Sequence, residues 1–226
     1  MSGRLRIDVF FDFICPWCLI GKRQLARAQD LLRVRQPGVE ITTVWHGVQL
    51  LPQLPAQGEP FVDFYLKRLG SLKAVAMRLA QVQQAAMAVG VPIDLSRIVR
   101  MPNTADAHRL LEHARVLGNS AQCDVLLERL FAAYFQLQGS ESGEDLGCQE
   151  TLLAIARSCG FDPDAMAPCL QGDGDPYIGN EAGAASGVPS FQFDGRLTVV
   201  GAQPAEALFD AMCEALLDSH RARQSA

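Results

Sequence analysis

Hydrophobic and polar positions alternate at the start of the chain. Leu5, Ile7, Val9 and Phe11 are apolar, Arg4, Arg6 and Asp8 stand between them, and Phe10 adds an apolar position on the second face. A period of two predicts a strand with one face buried. The period then lengthens. Leu25, Ala28 and Leu32 fall on one side of a helix. Pro16 can open it, because a first helical residue needs no N–H, and Gln36-Pro37-Gly38 stops it. Val39 to Trp45 reads as a second strand. Strand, helix and strand in succession make one βαβ unit.

The middle of the chain changes character. Pro52, Pro55, Gly58 and Pro60 form a loop, and from Phe61 to about Gly172 the apolar spacing is helical with almost no strand signal. Asn103 precedes a helix carrying Ala107, Leu110, Leu111, Ala114 and Leu117, with Asp106 three residues on, the spacing of a capping box. Leu127, Leu130, Phe131 and Tyr134 mark the next helix, Gly139 to Gly143 a loop, and Leu152, Leu153 and Ala156 a further helix. Asp162-Pro163 opens another. The end reverts to β: Ser190–Phe193 and Leu197–Val200 flank Asp194-Gly195, a strong hairpin signal. Ala205, Leu208, Met212 and Leu216 lie along a final helix. The expected architecture is an α/β domain of residues 1–55 plus 173–226, split by an all-helical insertion, residues 56–172.

Composition narrows the class. The 226 residues are 49% hydrophobic and 20% charged, as in ordinary globular proteins and against disorder. The net charge of −5 speaks against a general nucleic-acid binder. No stretch approaches the ~18 apolar residues of a membrane span. Asp8 and Asp12 interrupt the N-terminal apolar stretch, and no small-residue cleavage site follows. These features predict an unexported, cytoplasmic protein without a membrane partner, in a compartment where thiols stay reduced. Its seven cysteines are therefore the composition's odd feature.

Two of them are placed for chemistry. Cys15-Pro16-Trp17-Cys18 follows the first strand and opens the first helix. A thiol at a helix N-terminus faces unpaired N–H groups and the positive end of the helix dipole. Both favour thiolate, the attacking form. Cys15 is expected to be the exposed nucleophile. Cys18, one turn on and facing inward, is expected to be the resolving thiol, since residues three apart share a helix face. Residues 1–35 carry a net charge of +4 and the remainder −9, and Lys22 and Arg23 read either as solvated surface charges or as additions to the positive field near the helix start. A chance C-x-x-C and half of a zinc site are the competing readings. A tetrahedral site needs four ligands, and no two of Cys123, Cys148, Cys159, Cys169 and Cys213 have ligand spacing, so no metal is expected. Those five read as buried small hydrophobes.

Gly187-Val188-Pro189-Ser190 precedes the hairpin. A proline at a strand entrance can hold a cis bond. It leaves the Val188 backbone available to pair with an extended substrate segment. Asp12, three residues before Cys15, reads either as a proton relay to Cys18 or as a strand-end carboxylate. Trp17 reads as a substrate-facing ring or as packing, and His108 as a satisfied helix histidine or as site support.

Taken together, these segments resemble the DsbA-like thioredoxin-fold family, and within it the FrnE-type branch of dithiol oxidoreductases. Cys15 to Lys22, Asn103 to Leu110, Gly187 to Phe191 and Gly201 to Gln203 carry the resemblance, which spans residues 4 to about 218. It implies a thioredoxin-like fold, Cys15 as nucleophile, Cys18 as resolving thiol and Pro189 as the cis-proline. It also implies a thiol- or disulfide-containing protein or small-molecule substrate, bound across Pro16, Trp17, Val188 and Pro189. Glutathione or another thiol couple would serve as co-substrate rather than as a tightly bound cofactor, and a homodimer is the assembly that relatives suggest. The chain departs from the family pattern at His46 to Pro52, where Leu51 replaces an Asn. A neighbouring branch, the kappa-class glutathione transferases and 2-hydroxychromene-2-carboxylate isomerases, resembles this chain but carries Ser in place of the first cysteine. A non-catalytic redox-sensing module is the third reading.

Overall fold

The structure is a computed structural model describing residues 3–135, 143–179 and 181–224. It divides into two compact units, residues 1–48 with 179–226 and residues 49–178.

In the first unit β1 (Gly3–Phe11) lies inside a four-stranded sheet of order β2-β1-β5-β6. β2 (Val39–Gly47) runs parallel to it, from Gly3 opposite Val39 to Phe11 opposite Gly47. A parallel pair needs a crossover, and α1 (Pro16–Arg35) supplies it. β5 (Ser190–Phe193) pairs antiparallel with β1, and β6 (Leu197–Val200) antiparallel with β5. Asp194 and Gly195 turn that hairpin with φ of 48° and 69°, the positive angles that a tight two-residue turn requires. The Asp194 carboxylate accepts the Arg6 N–H at 2.8 Å and the Ser219 hydroxyl at 2.7 Å.

α1 and α8 (Ala205–Gln224) bury one sheet face. Ile7, Val9, Phe191 and Phe193 meet Leu25 and Leu32 of α1 and Leu208 and Met212 of α8. This is the face that the alternation of β1 predicts. Positions of opposite parity on β1 are satisfied differently. Arg6 donates two hydrogen bonds to Asp8 at 2.8 and 2.7 Å. His46 Nε2 lies 2.7 Å from Asp8 Oδ1, and Phe10 stacks on the His46 ring with centroids 4.8 Å apart.

The second unit contains α2 (Phe61–Leu69), α3 (Leu72–Ala88), α4 (Ala105–Leu117), α5 (Ser120–Phe135), α6 (Gln149–Ser158) and the short α7 (Pro163–Met166). Leu110 and Leu111 of α4, Leu127 and Leu130 of α5, and Leu152 and Ile155 of α6 are all buried. Two strands the sequence did not predict, β3 (Glu59–Pro60) and β4 (Arg100–Met101), form a two-residue bridge, too short to leave an alternating pattern. The loop read from Gly139 to Gly143 lies outside the described residues except for Gly143.

The expected capping box at α4 does not form. Thr104 is the N-cap and makes no side-chain cap bond. Asn103 Oδ1 accepts the Ala105 N–H at 2.9 Å, while its amide donates to the Leu54 and Gly174 carbonyls at 2.7 and 3.0 Å. Asp106 turns to the main chain of 171–172, accepting from the Gln171 and Gly172 N–H groups at 3.0 and 2.8 Å and from Arg109 at 2.8 Å. Burial pushes the Asp106 carboxyl up, but these three donors outweigh it and hold it below the usual carboxylate range.

The sequence reading changes domain at 55 and 173, whereas the units meet at 48/49 and 178/179. Val48 still donates to the Phe11 carbonyl at 2.8 Å, extending the sheet pairing. Gln49 already belongs to the helical unit, donating to Asn103 Oδ1 at 2.9 Å and accepting the Tyr177 N–H at 2.7 Å. Among the described residues no helix is long and apolar enough to cross a membrane.

Candidate active site

The site begins where β1 ends. After Phe11 the chain turns, and the Cys15 N–H donates to the Asp12 carbonyl at 3.2 Å. Cys15 is the N-cap of α1, with φ −85° and ψ 107°, the extended conformation that a following proline enforces. Pro16 takes the first helical position. The Cys15 sulfur accepts the Cys18 N–H at 3.3 Å, filling the role that a serine or aspartate oxygen usually has at a helix start. The cap therefore aims a helix N–H at the sulfur.

Cys15 was expected to be exposed; it is 6% exposed. As a cap its side chain folds back over the first turn rather than out into solvent. Cys18 is 1% exposed. Burial pushes its thiol well above the ordinary value. A hydrogen bond to the Cys15 sulfur and the charges of Cys15 and Asp12 add to this, and only the Asp12 main chain pulls the other way. The pair is thus asymmetric: Cys18 holds its proton, and Cys15 accepts hydrogen bonds. Both are thiols.

Asp12 directly follows the end of β1 and is completely buried, a strand-end carboxylate inside the protein. Pro16 and Trp17 are half-buried on the first turn of α1. Lys22 Nζ lies 6.0 Å from the centre of the Trp45 ring.

The second loop comes from far along the chain. The Val188–Pro189 peptide bond is cis, Val188 is half-buried and Pro189 is buried. The Pro189 carbonyl accepts the Gly201 N–H at 2.7 Å. Pro189 packs against Gly21 of α1: a Cβ built on Gly21 would stand 3.0 Å from Pro189 Cγ and 3.0 Å from Phe191 Cζ. The fold thus brings Asp12, Cys15, Pro16, Trp17 and Cys18 onto one strand-to-helix junction and lays the Pro189 loop along the same helix. His108 belongs to the helical unit, where it is 2% exposed and stacks on Tyr177 at 5.2 Å.

Sequence reasoning missed Gly21, although a glycine inside an apolar helix start was its signal. It also placed the other five cysteines in the core. Cys123, Cys148, Cys159, Cys169 and Cys213 are only partly buried, because they sit at helix ends and on helix flanks. Burial pushes the Cys169 thiol up to about 11, and those of Cys123, Cys159 and Cys213 are raised for the same reason. Among the described residues no three His, Cys, Asp or Glu side chains gather as a metal site.

A βαβ unit followed by ββα, with paired cysteines at the first helix start and a cis-proline loop packed on that helix, defines the thioredoxin-like class. The chain belongs to the DSBA-like thioredoxin domain family, whose model matches residues 6–212. No curated protein matches it. Among solved structures it is similar to a probable DsbA oxidoreductase from Streptomyces coelicolor, with 26% identity, a TM-score of 0.76 and coverage of 93% of this chain and 89% of that one. It also shares its fold with a 2-hydroxychromene-2-carboxylate isomerase (17% identity, TM-score 0.62, 98% and 100% coverage). A third is the cytosolic disulfide reductase DsbM from Pseudomonas aeruginosa (16% identity, TM-score 0.52, 98% and 100% coverage).

Proposed function

We propose that this protein is a FrnE-type dithiol–disulfide oxidoreductase working through Cys15 and Cys18. The observation that carries this reading is the asymmetry of the pair: a capping sulfur that accepts a helix N–H beside a buried thiol that keeps its proton. In the reducing direction the Cys15 thiolate attacks one sulfur of a substrate disulfide. A bond forms between Cys15 and that sulfur, and the other substrate thiolate leaves. Cys18 then gives up its proton and attacks the Cys15 sulfur. The Cys15–Cys18 disulfide forms and the second substrate thiolate departs, so two electrons pass from protein to substrate. Oxidation of a substrate dithiol is the same sequence reversed.

The buried Asp12 carboxylate, whose charge acts on Cys18, is the group assigned to take the Cys18 proton. Pro16 and Trp17 form one wall of the substrate site. The Val188 backbone pairs with an extended substrate segment in the manner of an added strand. The substrate is a disulfide or thiol on a protein or small molecule, glutathione or another thiol–disulfide couple is the co-substrate that regenerates the pair, and the setting is the cytoplasm. The similarity to the Streptomyces protein at 26% identity supports the redox reading.

The test is a pair of cysteine variants. Cys18→Ala is expected to trap a mixed disulfide with a cystine peptide, seen as a mass adduct on Cys15. Cys15→Ser is expected to lose insulin-reducing activity. Unchanged activity in Cys15→Ser would sink the reading. Tight glutathione binding that survives Cys18→Ala, in a protein without dithiol activity, would select the isomerase or transferase class instead. If Asp12 takes the proton, Asp12→Asn slows release of the mixed disulfide by about a hundredfold or more, the low end of what a general base contributes.

A further inference from the structure

Gly21 is a poor helix former placed inside the first helix, and its backbone is ordinary helix. Conformational freedom does not explain it; close approach does. The space a Cβ would need is occupied by Pro189 on one side and Phe191 on the other, at 3.0 Å each. Neither neighbour can yield easily. Pro189 is a ring whose carbonyl is tied to the Gly201 N–H. Phe191 is fully buried in the core between the sheet, Leu25 and Leu208, and β5 holds it between Val9 and Val199. Cys18 lies three residues before Gly21, on the same helix face.

We propose that Gly21 is a positioning residue that sets how closely the Val188–Pro189 loop approaches the Cys15–Cys18 pair, and thereby adapts the site to extended peptide disulfides. This rests on the oxidoreductase reading above. A peptide must engage Cys15 and the Val188 backbone at once, so it depends on the width of the seam between helix and loop. A small aromatic disulfide needs only Cys15 and does not.

The experiment compares the two substrates in the full chain. In Gly21→Ala, kcat/KM for a cystine peptide is expected to fall about tenfold, chiefly through KM, while the rate with a small aromatic disulfide changes less than about twofold. Phe191→Leu added to Gly21→Ala makes room on one side and recovers part of the peptide rate, with Phe191→Leu alone as the control. A wild-type protein inert toward both substrates overturns the oxidoreductase reading and this inference with it. A wild type active on both, with Gly21→Ala unchanged or slowed equally on the two substrates, overturns only the role of Gly21. Should Gly21→Ala not fold, the Gly21→Ala/Phe191→Leu pair is judged by the same outcomes. If that pair also fails to fold, Gly21 is a packing residue alone and the inference falls.

Discussion

Trp17 separates the two cysteines, and its neutral indole brings no positive charge to a sulfur at the helix start. A histidine there would bring an imidazolium that favours the reduced, thiolate-bearing form. The couple is therefore expected to be less oxidising than the strong-oxidant end of the family range. A measured potential near −120 mV would contradict this. Trp17→His is expected to raise the potential by roughly 30 mV, equal to ~1.4 kcal/mol for two electrons, as read by equilibration with glutathione. The placement of Cys15 and Cys18 at a helix start was legible from four adjacent letters, because a cysteine pair at a strand-to-helix junction is a local arrangement. The burial of Cys15 was not legible, since it depends on the rotamer of a capping side chain and on what surrounds it.

Among the elements, the closing hairpin and the start of α4 show opposite fates of a sequence signal. Asp194-Gly195 was readable because both positive φ angles belong to the dipeptide itself. Gly195→Ala is expected to cost about 1 kcal/mol, measured by urea denaturation, since alanine resists that conformation. Asn103 and Asp106 also carry a readable spacing, yet their side chains serve partners far away in the chain, at Leu54, Gly174, Gln171 and Gly172. A capping box satisfies donors within one turn; here the same residue types join α4 to two passing segments of main chain. Asp106→Ala strands two main-chain N–H groups and Arg109. It is expected to lower stability by roughly 2–4 kcal/mol, more than a lost surface carboxylate would, as read by the urea midpoint.

For the molecule as a whole, pH should act on stability from both sides. Asp8, held down chiefly by its hydrogen bond to Arg6, and Asp106 both have folded-state values below the ordinary carboxylate. Their contribution is present above about pH 3.9 and is lost as pH falls through the lowered folded-state values. Cys18 works the other way. Its folded-state value is raised by burial, so above the ordinary thiol value of about 8.5 the unfolded chain releases a proton that the folded protein keeps. The dithiol form is expected to lose stability steeply on the alkaline side, whereas the Cys15–Cys18 disulfide form, with no proton to lose there, is expected to show a shallower alkaline limb. Thermal unfolding of both forms across pH 3 to 10 checks both limbs. Local pattern alone determined the opening strand–helix–strand unit, the cysteine pair at the start of α1 and the closing hairpin, because periodicity, capping and turn chemistry act within a few residues. Only the tertiary structure decided that Asp12 is buried, that Cys15 is largely covered, that Asp106 serves main chain at 171–172, and that Gly21 meets Pro189. Each of those depends on segments distant in sequence arriving at the same place, and a single stretch of chain carries no signal of its eventual neighbours.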